Sequence, residues 1–486
     1  MSEGNGGPAA LREALGGLEA SARGLDPGPE EREDLWGAVG AHVLGDLAEL
    51  EHGPAYAAGE PIDPAVFELA ETPAPLSTAL ATIKDVEQPG IHQASGRHFA
   101  YIPGGGLFPA ALGDLLADVG NCYAGVHFAA PAASLMERSL VRWMAGLVGY
   151  SESAGGDLTS GASIANLEGI VTARDVMGIS SADVTRSVVY LTSQTHHCVD
   201  KALRISGLSE AVVRRVPIDD RWRMHPDALE TAVEADLAAG LRPWLVVATA
   251  GTTDTGAVDP LSAVADVADA YDLWLQVDAA YGGFFLLTEH GRRILVGIER
   301  SRSVTMDPHK GLFLPFGSGA LIVRDEHQLA EAHRYGAGYL RDAREAGGTF
   351  SASDLSVELS RPFRGPRLWL PLKLFGLAPF RAALEEKLLL ARYAHARLAE
   401  LPSWAVGPEP DLSVVTFRYV PRRGDANAFN RLLLEAVLAD GSVVVSATEL
   451  DGSYTLRLAI LHYRSHLDEV DRLLEVLARE AARLER

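Results

Sequence analysis

Cysteine is scarce: Cys122 and Cys198 are the only two in 486 residues. That excludes a disulfide framework, and their spacing does not suit a zinc site, so two free thiols in a reducing compartment are expected. Positive charge is also short. Lys and Arg total 43 against 65 Asp and Glu, a formal net charge of −22, without the basic footprint that nucleic acid or an anionic membrane surface attracts. No apolar run is long enough to span a bilayer. The opening Met1-Ser-Glu-Gly-Asn-Gly-Gly7 lacks the basic, apolar and small-residue succession of a secretory signal. A cytoplasmic protein with no membrane or nucleic-acid partner is therefore the expectation.

What is present points to a folded chain. Hydrophobic residues make up 47%, enough for a sizeable core in two or three domains, or one large domain with appendages. Residues 1 to about 90 read as amphipathic helices, with Leu11, Leu15 and Leu18 in one and Leu35, Val39, Val43, Leu44 and Leu47 in the next, broken at Asp26-Pro-Gly-Pro-Glu30. Such helices seldom make a core alone. His98 to Pro109, aromatic and glycine-rich, reads as a loop able to wall a pocket.

From about 130 to 325, helices alternate with short β-branched strands at 187–192, 244–249, 273–278, 303–306 and 319–323. This predicts βαβ units around a mostly parallel sheet, whose carboxyl edge binds ligands. Beyond 370, a helix near 376–400, a strand at 413–419, a helix near 427–439, strands at 443–445 and 455–460 and a closing helix predict a smaller α+β domain.

Chemistry gathers at the predicted strand ends. Ser303-Val-Thr-Met-Asp-Pro-His-Lys310 carries His309 and Lys310 out of an apolar strand, and Leu273-Trp-Leu-Gln-Val-Asp278 delivers a carboxylate to the same edge. A lysine is a useful nucleophile when its surroundings lower its pKa, and its usual role is a Schiff base with a carbonyl compound. An amine for an aldehyde, with an anion to hold a pyridine nitrogen protonated, matches what pyridoxal 5'-phosphate needs. The run Gly155-Gly-Asp-Leu-Thr-Ser-Gly-Ala-Ser163 precedes a helical stretch and could present N–H groups to a phosphate, although a plain helix cap fits too. His196 and His197 are adjacent and cannot share one helical face, so one can face a pocket while the other is surface; no metal is expected.

These residues resemble the group II pyridoxal-phosphate-dependent amino acid decarboxylases, the aromatic amino acid, glutamate and histidine decarboxylase family. The resemblance runs from about 90 to 325 and more weakly to the C-terminus. It implies the aspartate aminotransferase (type I) fold of the pyridoxal-phosphate-dependent transferases: an α/β domain with a mostly parallel sheet and a smaller C-terminal α+β domain. It also implies three parts: an N-terminal segment 1–90 on the partner subunit, a cofactor domain 91–370 with a mobile loop at about 339–354, and a small domain 371–486. By the same resemblance Thr159, Ser160, Gly161, Ala162 and Ser163 form the phosphate loop, and Gln194-Thr-His196 supplies the ring-stacking histidine. Asp278 binds the pyridinium, Ala280 packs on the opposite ring face, and Thr253 lies near the cofactor's polar edge. His309 touches phosphate and Lys310 forms the Schiff base. Decarboxylation of an L-amino acid through a quinonoid, giving amine and carbon dioxide, is the activity implied, in a homodimer with active sites at the interface.

Departures bear on the exact reaction. The family's loop tyrosine, which commonly protonates the quinonoid, aligns here with Ser351 or Ala352, beside Phe350. An oxygen-consuming aldehyde synthase is therefore an alternative, and Tyr335 or Tyr339 is another possible proton source. Gly104 and Gly311 stand where relatives carry larger residues, and both are expected to make room. Tyr101, His127, Phe128 and Tyr339 are candidate substrate-pocket residues. An aminotransferase using Arg457, a carbon–carbon lyase and a non-catalytic cofactor-binding protein are weaker alternatives on the same scaffold.

Overall fold

The computed structural model describes residues 7–102, 104–334 and 350–486. Tyr335, Tyr339 and most of the 339–354 loop fall outside them. Two compact units divide the chain, Met1–His92 and Gln93–Arg486. In the first, helices Pro8–Ala22, Pro29–His52 and Leu76–Glu87 accompany a two-residue antiparallel pair, β1 (Tyr56–Ala57) and β2 (Gly90–Ile91). The predicted break at Asp26-Pro-Gly-Pro is there, and proline at the first helical position opens the next helix. The first and third of these helices bury no residue.

The second unit is built on a seven-stranded sheet. Its strands are β3 (Gly155–Thr159), β4 (Ser187–Leu191), β5 (Val212–Arg215), β6 (Arg242–Thr249), β7 (Trp274–Asp278), β8 (Ser303–Met306) and β9 (Gly319–Val323), in spatial order β3-β9-β8-β7-β6-β4-β5. Neighbours from β8 through β7, β6 and β4 to β5 are parallel, and β9 is antiparallel to both β3 and β8. Both faces are covered, so the strands read as continuous apolar runs. Alternate side chains serve different cores: Tyr190, Val246, Ala248, Leu275 and Val277 pack on one side, Val189, Leu191, Leu245, Val247 and Trp274 on the other. Each buried aliphatic side chain of this kind contributes roughly 1.5–3 kcal/mol.

Because β3 runs in the same sense as β8, the carboxyl ends of β3, β4, β6, β7 and β8 meet at one edge, where β9 begins. The register aligns Thr249 with Asp278 and Asp278 with Thr305. This edge is where an α/β sheet presents ligand groups.

A smaller layer follows: four antiparallel strands, β10 (Trp404–Val406), β11 (Val414–Tyr419), β12 (Ser446–Leu450) and β13 (Ser453–Ala459), in order β10-β11-β13-β12. Helices Leu377–Glu400, Ala426–Asp440 and Leu467–Leu484 accompany it. One predicted strand is displaced. Val443–Val445 are buried but outside the ladder, because Val444 exchanges backbone hydrogen bonds with the 97–99 segment: Phe99 N–H donates to Val444 O (2.8 Å) and Val444 N–H to Arg97 O (3.0 Å). The ladder strand is instead Ser446–Leu450, a partly exposed edge.

Candidate active site

At the carboxyl edge a cavity of about 280 Å³ is lined by residues from five strand ends. Ser160, Gly161, Ala162, Ser163, His196, Thr253, Asp278, Ala280, His309 and Lys310, all singled out from the sequence, line it. Thr159 lies behind, its hydroxyl donating to Gly161 O (3.0 Å). Tyr101, His127 and Phe128 do not line this cavity, and Tyr101 and Phe128 are exposed. Seven lining residues were not anticipated: Ile102, Ile164, Cys198, Thr249, Gly251, Tyr281 and Asp307. Asp307 stood inside the quoted signature, and Thr249 ends a predicted strand, so strand-end position was the available signal.

The loop after β3 leads into the helix Ala162–Val176. Ile164 and Ala165 N–H donate back to Gly161 O (3.0 and 3.2 Å), while the first N–H groups of the helix have no intrahelical acceptor. Gly319 and Gly161 are in close approach: a Cβ on Gly319 would stand 2.5 Å from Gly161 Cα. Below the loop, fully buried Arg361 pairs with Asp157 and with Glu137 (3.2 Å) and donates to Leu158 O (2.9 Å), fixing the end of β3.

Asp278 is 5% exposed and both oxygens are held. Asn166 Nδ2 donates to Oδ2 (3.1 Å) and Ala280 N–H to Oδ1 (3.1 Å). Asn166 is fixed in turn, its Oδ1 accepting from Gln276 Nε2 (2.6 Å) and Thr305 Oγ1 (3.1 Å). Nothing in the sequence marked Asn166, which sits mid-helix among apolar residues. Its network is fully satisfied, and that makes the carboxylate orientation rigid.

Lys310 Nζ lies 3.0 Å from Asp307 Oδ2. Burial opposes its charge, but Asp307 and Asp278 outweigh burial, and the ammonium is raised above its ordinary range. The expectation of a lowered lysine is thus reversed for the cofactor-free chain, since two carboxylates share its cavity. His196 is pushed down, chiefly by burial, with His197 and Lys310 adding to this against the pull of Asp278. Cys198 N–H donates to His196 Nδ1 (3.3 Å), which leaves Nε2 to carry the ring proton. His197 is exposed, its ring 4.1 Å from that of His196. His309 is also lowered by burial; its Nδ1 donates to Ser318 O (2.6 Å), so Nε2 donates to an anion only when the ring is doubly protonated. Burial pushes the Cys198 thiol up to about 12, so it stays protonated.

The two glycines do not open the pocket. A Cβ on Gly311 would lie 2.6 Å from Phe284 Cβ, and one on Gly104 would meet the Phe316 ring at 3.0 Å. Neighbouring aromatics already occupy the space, which corrects the expectation of added room. Phe350 packs on the Ala165, Leu321 and Leu329 cluster and lies edge-on to His327 at 5.2 Å. Ser351 Oγ accepts from His127 N–H (3.1 Å). Both are therefore engaged away from this cavity. Arg457 is buried and tied to Thr253 O (2.6 Å), Ala100 O (3.2 Å) and Ser446 Oγ (3.2 Å), a bracing role that weakens the aminotransferase alternative. Among the described residues no cluster suited to a metal is found.

The chain matches the model of the pyridoxal-dependent decarboxylase conserved domain over residues 65–420. It is 34% identical over 379 residues to an aromatic-L-amino-acid decarboxylase of Bacillus atrophaeus, covering 77% of this chain and 78% of that one. A phenylacetaldehyde synthase of Arabidopsis thaliana is 30% identical, covering 83% and 86%. A crystal structure of Oryza sativa TDC with PLP and tryptamine superposes with a TM-score of 0.90 at 28% identity, covering 95% of this chain and 99% of that chain. The residues present fit the cofactor: Thr249 Oγ1 and Asp307 Oδ1 are buried in the cavity lining without a hydrogen-bond partner among the described residues, beside a helix start suited to an anion and the half-buried Lys310.

Proposed function

The chain belongs to the pyridoxal-dependent decarboxylase family, and from that we propose how its residues divide the work. The protein is a pyridoxal-phosphate-dependent carboxy-lyase acting on an amino acid. When bound, the cofactor supplies an aldehyde for the substrate amine and a protonated ring that withdraws electrons from the substrate Cα. Lys310 Nζ would be the amine that holds the aldehyde. Asp278, fixed by Asn166 and Ala280 N–H, would hold the ring proton. The 160–163 helix start would take the phosphate, with His309 beside it and Thr253 at the polar edge. His196 and Ala280 would flank the ring, and His196 would help orient the carboxylate that leaves.

The observation that carries this reading is the convergence of Lys310, Asp278 and His196 on one cavity closed by the 160–163 turn. An L-aromatic amino acid is the proposed substrate, supported by the relatives' names. Oxygen-dependent conversion to an aldehyde is the second reading, favoured by the resemblance to a phenylacetaldehyde synthase. Borohydride reduction and peptide mass spectrometry should place the cofactor on Lys310; an adduct elsewhere would sink the assignment. An amino acid panel read for carbon dioxide, amine, aldehyde, peroxide and oxygen uptake separates the two reactions.

A homodimer with the division 1–90, 91–370 and 371–486 accompanies this reading. Its support is an apolar strip, Leu115, Leu116, Val119, Trp369, Leu374 and Phe375, exposed on two helices that pack together, Phe108–Gly120 and Gly365–Phe375. Tyr101, His127, Phe128 and Tyr339 would then wall a site completed across the interface. No helix among the described residues is long and apolar enough to cross a membrane, and a cytoplasmic location, with both thiols free, is proposed. Sedimentation as a fully active monomer would overturn the dimer.

A further inference from the structure

We propose that Asp307 is the residue that keeps positive charge on the Lys310 nitrogen, and that it thereby biases the site toward loss of carbon dioxide over transfer of the amino group. The inference rests on Lys310 as the cofactor-bearing lysine. Asp307 is 1% exposed, and its Oδ2 lies 3.0 Å from Nζ. Its Oδ1 has no hydrogen-bond partner among the described residues. His309 Nε2 is the other cationic candidate, at 3.6 Å. However, with Nδ1 donating to Ser318 O and burial favouring the neutral ring, Nε2 brings neither charge nor proton. A buried carboxylate without a cation is costly, so Lys310 is its counter-ion.

Asp278 acts on Lys310 only secondarily: its oxygens are engaged by Asn166 and Ala280 N–H, and its pull on the ammonium ranks below that of Asp307. The backbone fixes the Asp307–Lys310 pair independently of the carboxylate. Asp307 N–H donates to Ala280 O (3.1 Å), while Lys310 and Gly311 N–H donate back to Asp307 O (2.9 and 3.2 Å). An amide at 307 keeps those contacts and loses only the charge.

The chemical consequence follows from the proton count. A Lys310 released by the substrate as an ammonium cannot remove the Cα proton, which is how amino-group transfer begins. It can donate instead: after carbon dioxide departs with its carbon leaving the bonding pair behind, an N–H bond of Lys310 breaks, a Cα–H bond forms, and a neutral amine remains beside Asp307. This needs no tyrosine from the 339–354 segment.

The test uses the full chain stripped of cofactor, with trace acetylation of Lys310 followed against pH by peptide mass spectrometry. Native Lys310 should titrate above the ordinary 10.5, and Asp307→Asn should move its midpoint down by about one to three pH units. Asp307→Glu should restore much of that shift. In the holoenzyme, the visible absorption band of the cofactor should titrate at lower pH in Asp307→Asn as well. A native midpoint below 10.5, or a midpoint unchanged in Asp307→Asn, overturns the proposal. If Asp307→Asn does not fold, the native midpoint decides alone. A borohydride adduct on another lysine, with the 307-dependent shift intact, would reject the cofactor assignment while leaving the charge pairing standing.

Discussion

Two lysines lie inside this protein, and their surroundings push them in opposite directions. Lys310, at the ligand edge, is raised: two carboxylates outweigh its burial. Lys387, on the helix beneath the C-terminal sheet, is fully buried and lowered, burial outweighing Glu386 at 2.7 Å. His98 and His462 follow Lys387. Burial takes them to about 4 and about 3, with Arg464, His98 and Lys387 adding to the second. The C-terminal layer thus drives cations toward neutrality, and the ligand edge retains one. A search for a buried lysine of depressed pKa would choose Lys387, which does not line the ligand-edge cavity. What distinguishes Lys310 is open space beside it and unpartnered acceptors around that space.

The sharpest way to break the contrast is to exchange the two lysines' fates. Lys310→Ala should end covalent cofactor retention after borohydride and lower decarboxylation by on the order of 10³-fold or more. Lys387→Met should retain both, because the Glu386 left behind is part-exposed and keeps His466 as a partner (2.8 Å), so no buried charge is stranded. Loss of cofactor in Lys387→Met with normal folding would erase the distinction.

The histidines extend the contrast to pH. Their folded pKa values lie below the ordinary 6.5, so the unfolded chain binds the extra protons. The stability they contribute is complete above pH 6.5 and is lost as pH falls, through about 4 for His98 and about 3 for His462. Each accounts for a few kcal/mol, on the order of 3 for His98. Denaturant midpoints should fall steeply between pH 6.5 and 4, and less so in His462→Gln; parallel profiles would show that this layer tolerates charge.

At the ligand edge the effect is smaller but more specific. Asn166→Ala leaves one oxygen of buried Asp278 without its donor, and a hydrogen bond to a charged group is worth about 1.5–3 kcal/mol. Cofactor affinity should fall roughly 10- to 100-fold while Lys310 still forms the adduct. Unchanged affinity in a cofactor titration would reduce Asn166 to packing.

Most of the sheet was legible because its strands are β-branched runs covered on both faces, such as Val188–Leu191 and Leu245–Val247. β3 was not. Gly155-Gly-Asp-Leu-Thr159 reads as a loop, yet it pairs with β9 at an approach only glycine permits: a Cβ on Gly156 would stand 2.0 Å from Leu321 O. The site's ingredients were legible as strand-end polar residues in a known order. Their electrostatics were not, because the sign of the Lys310 shift depends on distances to Asp307 and Asp278 that spacing does not fix. Asn166 was invisible for a related reason: a helical asparagine acquires its meaning from Gln276 and Thr305, two strands away in space.

Gly311, beside the decisive lysine, gives the finest test of how narrow the site is. It does not line the cavity, and its missing side chain would point at Phe284, which is fully buried and stacked on Trp143 at 6.3 Å. Gly311→Ala should therefore cost about 1–3 kcal/mol of overpacking and lower the melting temperature, with the ratio of amine to aldehyde and the substrate preference unchanged. Were the variant as stable as the native chain and altered in substrate preference, Gly311 would return to the pocket wall. The chemical neighbourhood of Lys310 would then extend one residue further than the cavity does.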